Sequence, residues 1–420
     1  MLESIKEKIL SVFADGQRAS GENRDIHLGE PGFLRQLVRR KELEGVFLFL
    51  TKQCNSRCRT CFYTRDTMEG DDLTLDEIRR LSDTAPGFDK LWLSGGEPFL
   101  RKDLPEIIEL FYRQNGIKVI NLPTNALLAE PVLEGVQRML DSCPKMTIHL
   151  NFSFDGMGEA HDRVRGVPGS FAKTLATIER VEDHFGDNPR LIRNVATVVT
   201  GETSLPEIYD LAAFLFARFK LATQFFETVR GDTRDSGLAR PTRAQLAELH
   251  RQLVPLYDAM ADRLFAKLPI GARQLAKLYF MGILGHLYRL QEQNVEGPHP
   301  WGMDCTAGKT TFVIDHDGGF RACEMRPRIG HLRDYGFDLG AAVRSAAMRQ
   351  EIEAIGGGHR AGCWCTHTCW MLSSLKFSPR TLLYEVPRAY LASRGTQLPP
   401  LVASAIDTAE LARRHGVGSA

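Results

Sequence analysis

From Val46 onward the apolar positions follow two alternating rhythms. Apolar runs of strand length lie at Val46–Leu50, Lys90–Leu93, Val119–Leu122, Met146–Phe154, Leu191–Val199 and Gln224–Val229. Between them, Leu75–Asp83, Leu104–Gln114, Pro131–Ser142 and Phe171–Phe185 carry helical spacing. Thr74, with Glu77 three positions on, predicts a capping box at the first of these helices. Strands that alternate with helices predict a parallel sheet covered by outer helices. The fold class expected is therefore α/β.

The rhythm changes outside this region. Leu2, Ile5, Ile9, Val12 and Phe13 form a helical stripe, so residues 1–44 read as a helical extension that packs on the rest of the fold, with docking onto a membrane or a partner as the alternative. Residues 45–235 hold the alternating units. Residues 236–300 read as a helical bridge: Thr242 opens one helix through Leu246, Leu249, Leu253 and Leu256, and a second runs from about Arg273 to Gln293. This pair is expected either to wall a substrate pocket or only to pack. Residues 301–377 form a small cysteine-rich segment, and residues 378–420 a tail with a docked helix or two.

Composition narrows the function classes. The 420 residues include 53 Lys+Arg against 52 Asp+Glu, so no general nucleic-acid surface is expected. No apolar run is long enough for a transmembrane helix, and the acidic start Met1–Lys8 is not a secretory signal, so a cytoplasmic protein is expected. The nine cysteines are mostly grouped at metal-ligand spacings, which reads as metal binding and not as disulfides. Cys143 stands alone and is read as a small residue near a helix end.

Cys54, Cys58 and Cys61 follow the first predicted strand in the spacing Cys-x3-Cys-x2-Cys, with Phe62 and Tyr63 next. Three thiolates on one loop suit three irons of a [4Fe–4S] cluster and leave the fourth open to a chelating molecule; alone, they would also fit a zinc knuckle short of one ligand. The second predicted strand ends in Ser94-Gly95-Gly96-Glu97-Pro98, where two glycines allow close backbone approach to a ligand and Glu97 can accept from an ammonium. Asn125 lies in Pro123-Thr124-Asn125-Ala126, and Ser153 and Asp155 lie in Asn151–Gly156, ahead of Arg165.

Taken in this order, the motifs resemble the radical S-adenosylmethionine (radical SAM) superfamily. The resemblance implies a partial (β/α)6 TIM-like barrel, with a [4Fe–4S] cluster on Cys54, Cys58 and Cys61 that binds S-adenosylmethionine. It further implies that the turn Gly95, Gly96 and Glu97 receives the methionine amino group, that Asn125, Ser153 and Asp155 serve the cofactor, and that Arg165 faces its carboxylate or makes a surface ion pair. The family usually has Thr-Asn-Gly where this chain has Thr124-Asn125-Ala126, which puts the shape of that turn in question.

The distal group comprises Cys305, Cys323, Cys363, Cys365 and Cys369. Thr311–Ile314 and Phe320–Ala322 flank Asp315–Gly319, a β-hairpin signal that sets Cys305 and Cys323 on its two arms. This pattern resembles the auxiliary-cluster domains called SPASM and twitch, and Ile329–Leu332 resembles their next strand. Five cysteines imply one auxiliary [4Fe–4S] cluster on Cys305, Cys323, Cys369 and one of Cys363 or Cys365; zinc also accepts four thiolates. Cys363 is the expected spare, because Cys365 and Cys369 would lie one turn apart if a helix began there.

The resemblance implies an enzyme that cleaves S-adenosylmethionine to a 5′-deoxyadenosyl radical and takes hydrogen from a substrate carbon, fed by a reductant such as flavodoxin or ferredoxin. The short stretch before the barrel points to a small-molecule substrate; a ribosomally made peptide is the alternative, and a non-catalytic iron–sulfur electron carrier a second one. The catalytic acid, base or quenching residue is not legible.

Overall fold

The structure, a computed structural model, describes residues 43–63, 70–356, 363–395 and 403–417. The expected N-terminal stripe lies outside them. Strands and helices alternate as β1 (Gly45–Phe49), α1 (Leu75–Thr84), β2 (Lys90–Ser94), α2 (Leu104–Asn115), β3 (Val119–Thr124), α3 (Ala129–Ser142) and β4 (Thr147–Ser153). After α4 (Gly158–Arg165) and α5 (Ser170–Phe185) come β5 (Leu191–Val199), α6 (Leu205–Arg218) and β6 (Thr223–Thr228). The predicted capping box is present: Thr74 accepts from Glu77 N, and the Glu77 carboxylate accepts from Thr74 N, a device worth about 1 kcal/mol. Helix α4 was not legible, because it buries only His161 and so shows no apolar stripe.

The six strands pair in parallel with their sequence neighbours from β1 to β6. The barrel is not closed. On the far side of β1 lies β7 (Thr311–Ile314), also parallel, followed by the antiparallel strands β8 (Gly319–Arg321) and β9 (Gly330–His331). The predicted hairpin therefore forms, and it extends the barrel sheet.

Helices α7 (Arg243–Leu264) and α8 (Ile270–Asn294) cover the open side. Alternation along the strands turns Phe47 and Phe49, Lys90 and Trp92, and Phe225 and Glu227 toward an interior cavity. Ile283, Leu284, Leu287 and Tyr288 of α8 form its opposite wall, so the second bridge helix does wall a pocket. After α9 (Leu339–Val343) and α10 (Ala346–Ile355), α11 (Thr368–Leu375) lines the same cavity. In the tail, α12 (Val386–Ser393) docks on α8, and α13 (Thr408–Arg414) leads to Arg414 and His415, both paired with Asp210 of α6. A Cβ at Gly282 of α8 would sit 2.4 Å from the Val386 carbonyl oxygen, which is why the two backbones can meet there. No helix among the described residues is long and apolar enough to cross a membrane.

Candidate active site

The cluster loop leaves the C-terminal end of β1 and is held from three sides. Asp72 accepts from the Thr51 hydroxyl (2.5 Å) and from Lys52 N (3.0 Å). Arg57 N and Arg59 N donate to the carbonyls of Arg165 and Val164 at the end of α4. Gly96 N donates to Thr51 O (2.6 Å) and Glu97 N to Gln53 O (2.8 Å). This last contact explains the glycine pair. A Cβ on Gly95, whose φ is +112°, would fall 2.5 Å from Thr51 O, and one on Gly96 would fall 1.9 Å from Gln53 O. The close approach expected toward a ligand is thus made first toward the cluster loop itself.

Cys54, Cys58 and Cys61 line one cavity of about 460 Å³, together with Gly95, Gly96, Glu97, Asn125, Ser153 and Arg165. The loop surrounds its sulfurs with donors. Ser56 N lies 3.4 Å from Cys54 Sγ, Asn125 Nδ2 3.8 Å from the same sulfur, and Arg165 Nη1 3.6 Å from Cys58 Sγ. Burial pushes the Cys54 thiol up to about 11 and raises that of Cys61. Three sulfurs on one wall, faced by donors and a buried guanidinium, fit the three-thiolate side of a [4Fe–4S] cluster.

Glu97 is buried in the same wall. Its carboxylate accepts from Asn125 N (2.7 Å), the Thr124 hydroxyl (2.9 Å) and Phe99 N (3.3 Å). Burial outweighs these bonds and pushes the group up to about 7. Asn125 also donates to Asn55 Oδ1 (2.6 Å), tying the turn after β3 to the cluster loop. Ala126 takes a left-handed φ of 54°, so the turn keeps the backbone that glycine would favour, and alanine carries the strain.

Asp155 corrects an expectation. It does not line the cavity: the chain leaves β4 after Ser153, and the Asp155 carboxylate turns back to accept from Val198 N (2.8 Å). Its other oxygen pairs with Arg165 Nε at 2.9 Å, both groups buried. Asp155 positions Arg165, and Arg165 is no surface ion pair.

The distal cysteines gather at the hairpin. Burial raises the thiols of Cys305, to about 11, and of Cys323, Cys363 and Cys365. Charge on Cys363 raises Cys305 further, and Cys365 and Cys305 do the same to Cys323. Cys369 lines the barrel cavity, where it and Cys365 both act on Arg230. The helical-turn argument fails, because α11 begins at Thr368 with His367 as its N-cap and Cys365 precedes it in non-helical chain. A set of thiols linked by charge, with Cys305 and Cys323 buried and Cys363 and Cys365 partly exposed, suits a four-thiolate group. Among the described residues no three Cys, His, Asp or Glu side chains converge closely enough to hold a single metal ion.

The barrel cavity, about 290 Å³, shares only Pro123 with the cysteine-lined one. Phe47 stacks on Trp92 at 4.7 Å, and Trp370 packs on Phe47 at 5.0 Å. Lys90, Glu227, Arg230, Glu324, His367 and Lys376 supply its charged groups. Sequence reasoning missed this set. The one available signal was Glu227, an acid two positions after Phe225 on the same face of its strand.

The model of the Radical SAM superfamily matches residues 48–214. The chain is 40% identical over 233 residues to a probable GTP 3′,8-cyclase of Methanococcus maripaludis, covering 54% of this chain and 70% of that protein. It is 35% identical over 139 residues to the AdoMet-dependent heme synthase of Methanosarcina barkeri, covering 31% of this chain and 36% of that one. Among solved structures, anSMEcpe with bound AdoMet superposes with a TM-score of 0.54 at 16% identity, covering 84% of this chain and 99% of that chain. SuiB of Streptococcus suis bound to precursor peptide SuiA gives 0.50 at 14% identity, covering 80% and 74%. The chain belongs to the radical SAM superfamily. It spans 36%, 53% and 41% of three of the curated relatives that it matches.

Proposed function

We propose that the chain reductively cleaves S-adenosylmethionine and abstracts hydrogen from a small molecule held in the barrel cavity. The observation that carries this reading is the adjacency of two cavities: one lined by Cys54, Cys58, Cys61 and Glu97, the other mostly apolar and flanked by α8 and α11, meeting at Pro123. A [4Fe–4S] cluster on the three cysteines, with S-adenosylmethionine on its open iron, would supply a 5′-deoxyadenosyl radical at this junction. Around that group, Ser56 N, Asn125 and Arg165 stabilise the sulfur charge, Asp155 orients Arg165, Glu97 accepts from the methionine ammonium, and Gly95, Gly96 and Ser153 shape the wall.

Cys305, Cys323, Cys363 and Cys365 would hold an auxiliary cluster in a SPASM- or twitch-like segment, with Cys369 facing the substrate. A flavodoxin- or ferredoxin-type reductant would deliver the electron. The volume of the cavity, about 290 Å³, favours a small molecule over a peptide, and two relatives bear names that refer to GTP and heme. Anaerobic incubation of the reconstituted protein with dithionite and S-adenosylmethionine is expected to yield 5′-deoxyadenosine and methionine; intact S-adenosylmethionine would remove the reading.

A further inference from the structure

Two charged groups of the barrel cavity have no task in the cleavage of S-adenosylmethionine. Arg230 lies just beyond β6, over the face of Phe62 at 5.2 Å. Its guanidinium is 3.6 Å from Glu227 and 4.0 Å from Glu324, outside good hydrogen-bond distance. Among the described residues the Arg230 fork makes no hydrogen bond, and its Nε is buried without a partner. Among the described residues Glu227 accepts only a long bond, 3.4 Å from Thr368 N. Glu324 is better supplied, with His367 Nδ1 at 2.5 Å and Trp370 Nε1 at 2.7 Å. An underused cation and an underused anion thus sit side by side on the wall of an aromatic cavity.

We propose, on the reading that this cavity takes the substrate, that Arg230 and Glu227 grip the carboxylate and ammonium of a free aromatic α-amino acid. The planar guanidinium fork suits a carboxylate. The wall carries Lys90, Arg230 and Lys376 as well as Glu227 and Glu324, and a zwitterion adds no net charge to these desolvated groups. The side chain enters between the Phe47–Trp92 stack and Leu284 and Leu287, where an aromatic ring finds ring partners. The volume, about 290 Å³, is near the lower end for ligand pockets, roughly 300–1,000 Å³. Asn121 Nδ2, buried on the same wall without a partner, marks the space as a ligand site and not a dry packing defect. The methionine end of S-adenosylmethionine belongs to the neighbouring cavity.

Calorimetric titration of the cluster-loaded, full-length protein with L-phenylalanine, 3-phenylpropionate, phenethylamine and N-acetyl-L-phenylalanine tests this. L-Phenylalanine is expected to bind at least about tenfold tighter than each of the others, since each lacks one charge-assisted contact. Arg230→Gln and Glu227→Gln should each lose about tenfold or more, with Arg230→Lys recovering part. The wild-type series needs no variant, so misfolding of a variant does not blunt the test. No binding of L-phenylalanine, or equal affinity across the probes, overturns the proposal, and N-acetyl-L-phenylalanine binding as tightly overturns it in favour of a peptide C-terminus. 5′-Deoxyadenosine assayed in the same samples separates the two readings: L-phenylalanine binding without it removes only the radical chemistry, and its formation without binding removes only the amino acid.

Discussion

At Glu97 burial works against three hydrogen bonds and holds the carboxyl near 7, against an ordinary 4.5. The sign follows from linkage. Below about 4.5 the group is protonated in both folded and unfolded chain; above that the unfolded chain releases a proton that the fold retains. In ligand-free protein its contribution therefore declines as pH rises through 4.5 to 7, by on the order of 3 kcal/mol. Glu97→Gln is expected to flatten this part of the pH dependence in urea denaturation between pH 5 and 8. It is also expected to weaken S-adenosylmethionine binding by roughly ten- to a hundredfold, because the ammonium loses a charged acceptor. Unchanged affinity in equilibrium dialysis would take Glu97 out of the site. Ala126 offers a test with no ligand at all. Its left-handed φ costs an L-residue about 1–2 kcal/mol, while glycine costs about 0.5–1 kcal/mol in unfolded-chain entropy. Ala126→Gly should raise the urea midpoint by a stability gain of about 1 kcal/mol or less. Ala126→Val, β-branched and fully enclosed, should lower it by about 2 kcal/mol or more; the opposite order would contradict the strain.

Elements decide which cysteines act together. The loop after β1 could be read from spacing because its three cysteines are neighbours in sequence, and the chain itself sets their distance. The distal set could not be sorted that way. Its grouping depends on where α11 begins and on the antiparallel pairing of β7 with β8, and spacing fixes neither. With the helix starting at Thr368, Cys369 lines the barrel cavity, while charge couples Cys365 to Cys305 and Cys363, and we propose that these three join Cys323 in one cage. Single alanine changes at Cys305, Cys323, Cys363 and Cys365 should therefore each cut the iron content from about eight to about four per chain and destabilise the hairpin region. Cys369→Ala should retain about eight. Zinc in place of distal iron, or loss of iron in Cys369→Ala alone, would reassign the cage.

Across the whole molecule, the open barrel was legible because six strand-length runs alternate with amphipathic helices, a pattern each segment carries locally. The pairing of β7 with β1 was not, since it joins residues more than 260 positions apart and leaves no local trace. Arg230, Glu227 and Asn121 went unread for the same reason: each is an isolated polar residue until the sheet closes round it. Asp155 was assigned to the cofactor on the resemblance alone, and its turn back to Val198 and Arg165 depends on β4 ending at Ser153, which the motif does not show. The three cysteines, the Gly95-Gly96 turn and Glu97 meet at one cavity, and the barrel gives that cavity a neighbour suited to a substrate.

The most direct test of this account replaces Cys54, Cys58 and Cys61 together by alanine and measures iron and 5′-deoxyadenosine on the same anaerobic preparation. The account predicts that iron falls from about eight to about four per chain, that the distal cage stays filled, and that no 5′-deoxyadenosine forms. Retained cleavage of S-adenosylmethionine in the triple variant would contradict it.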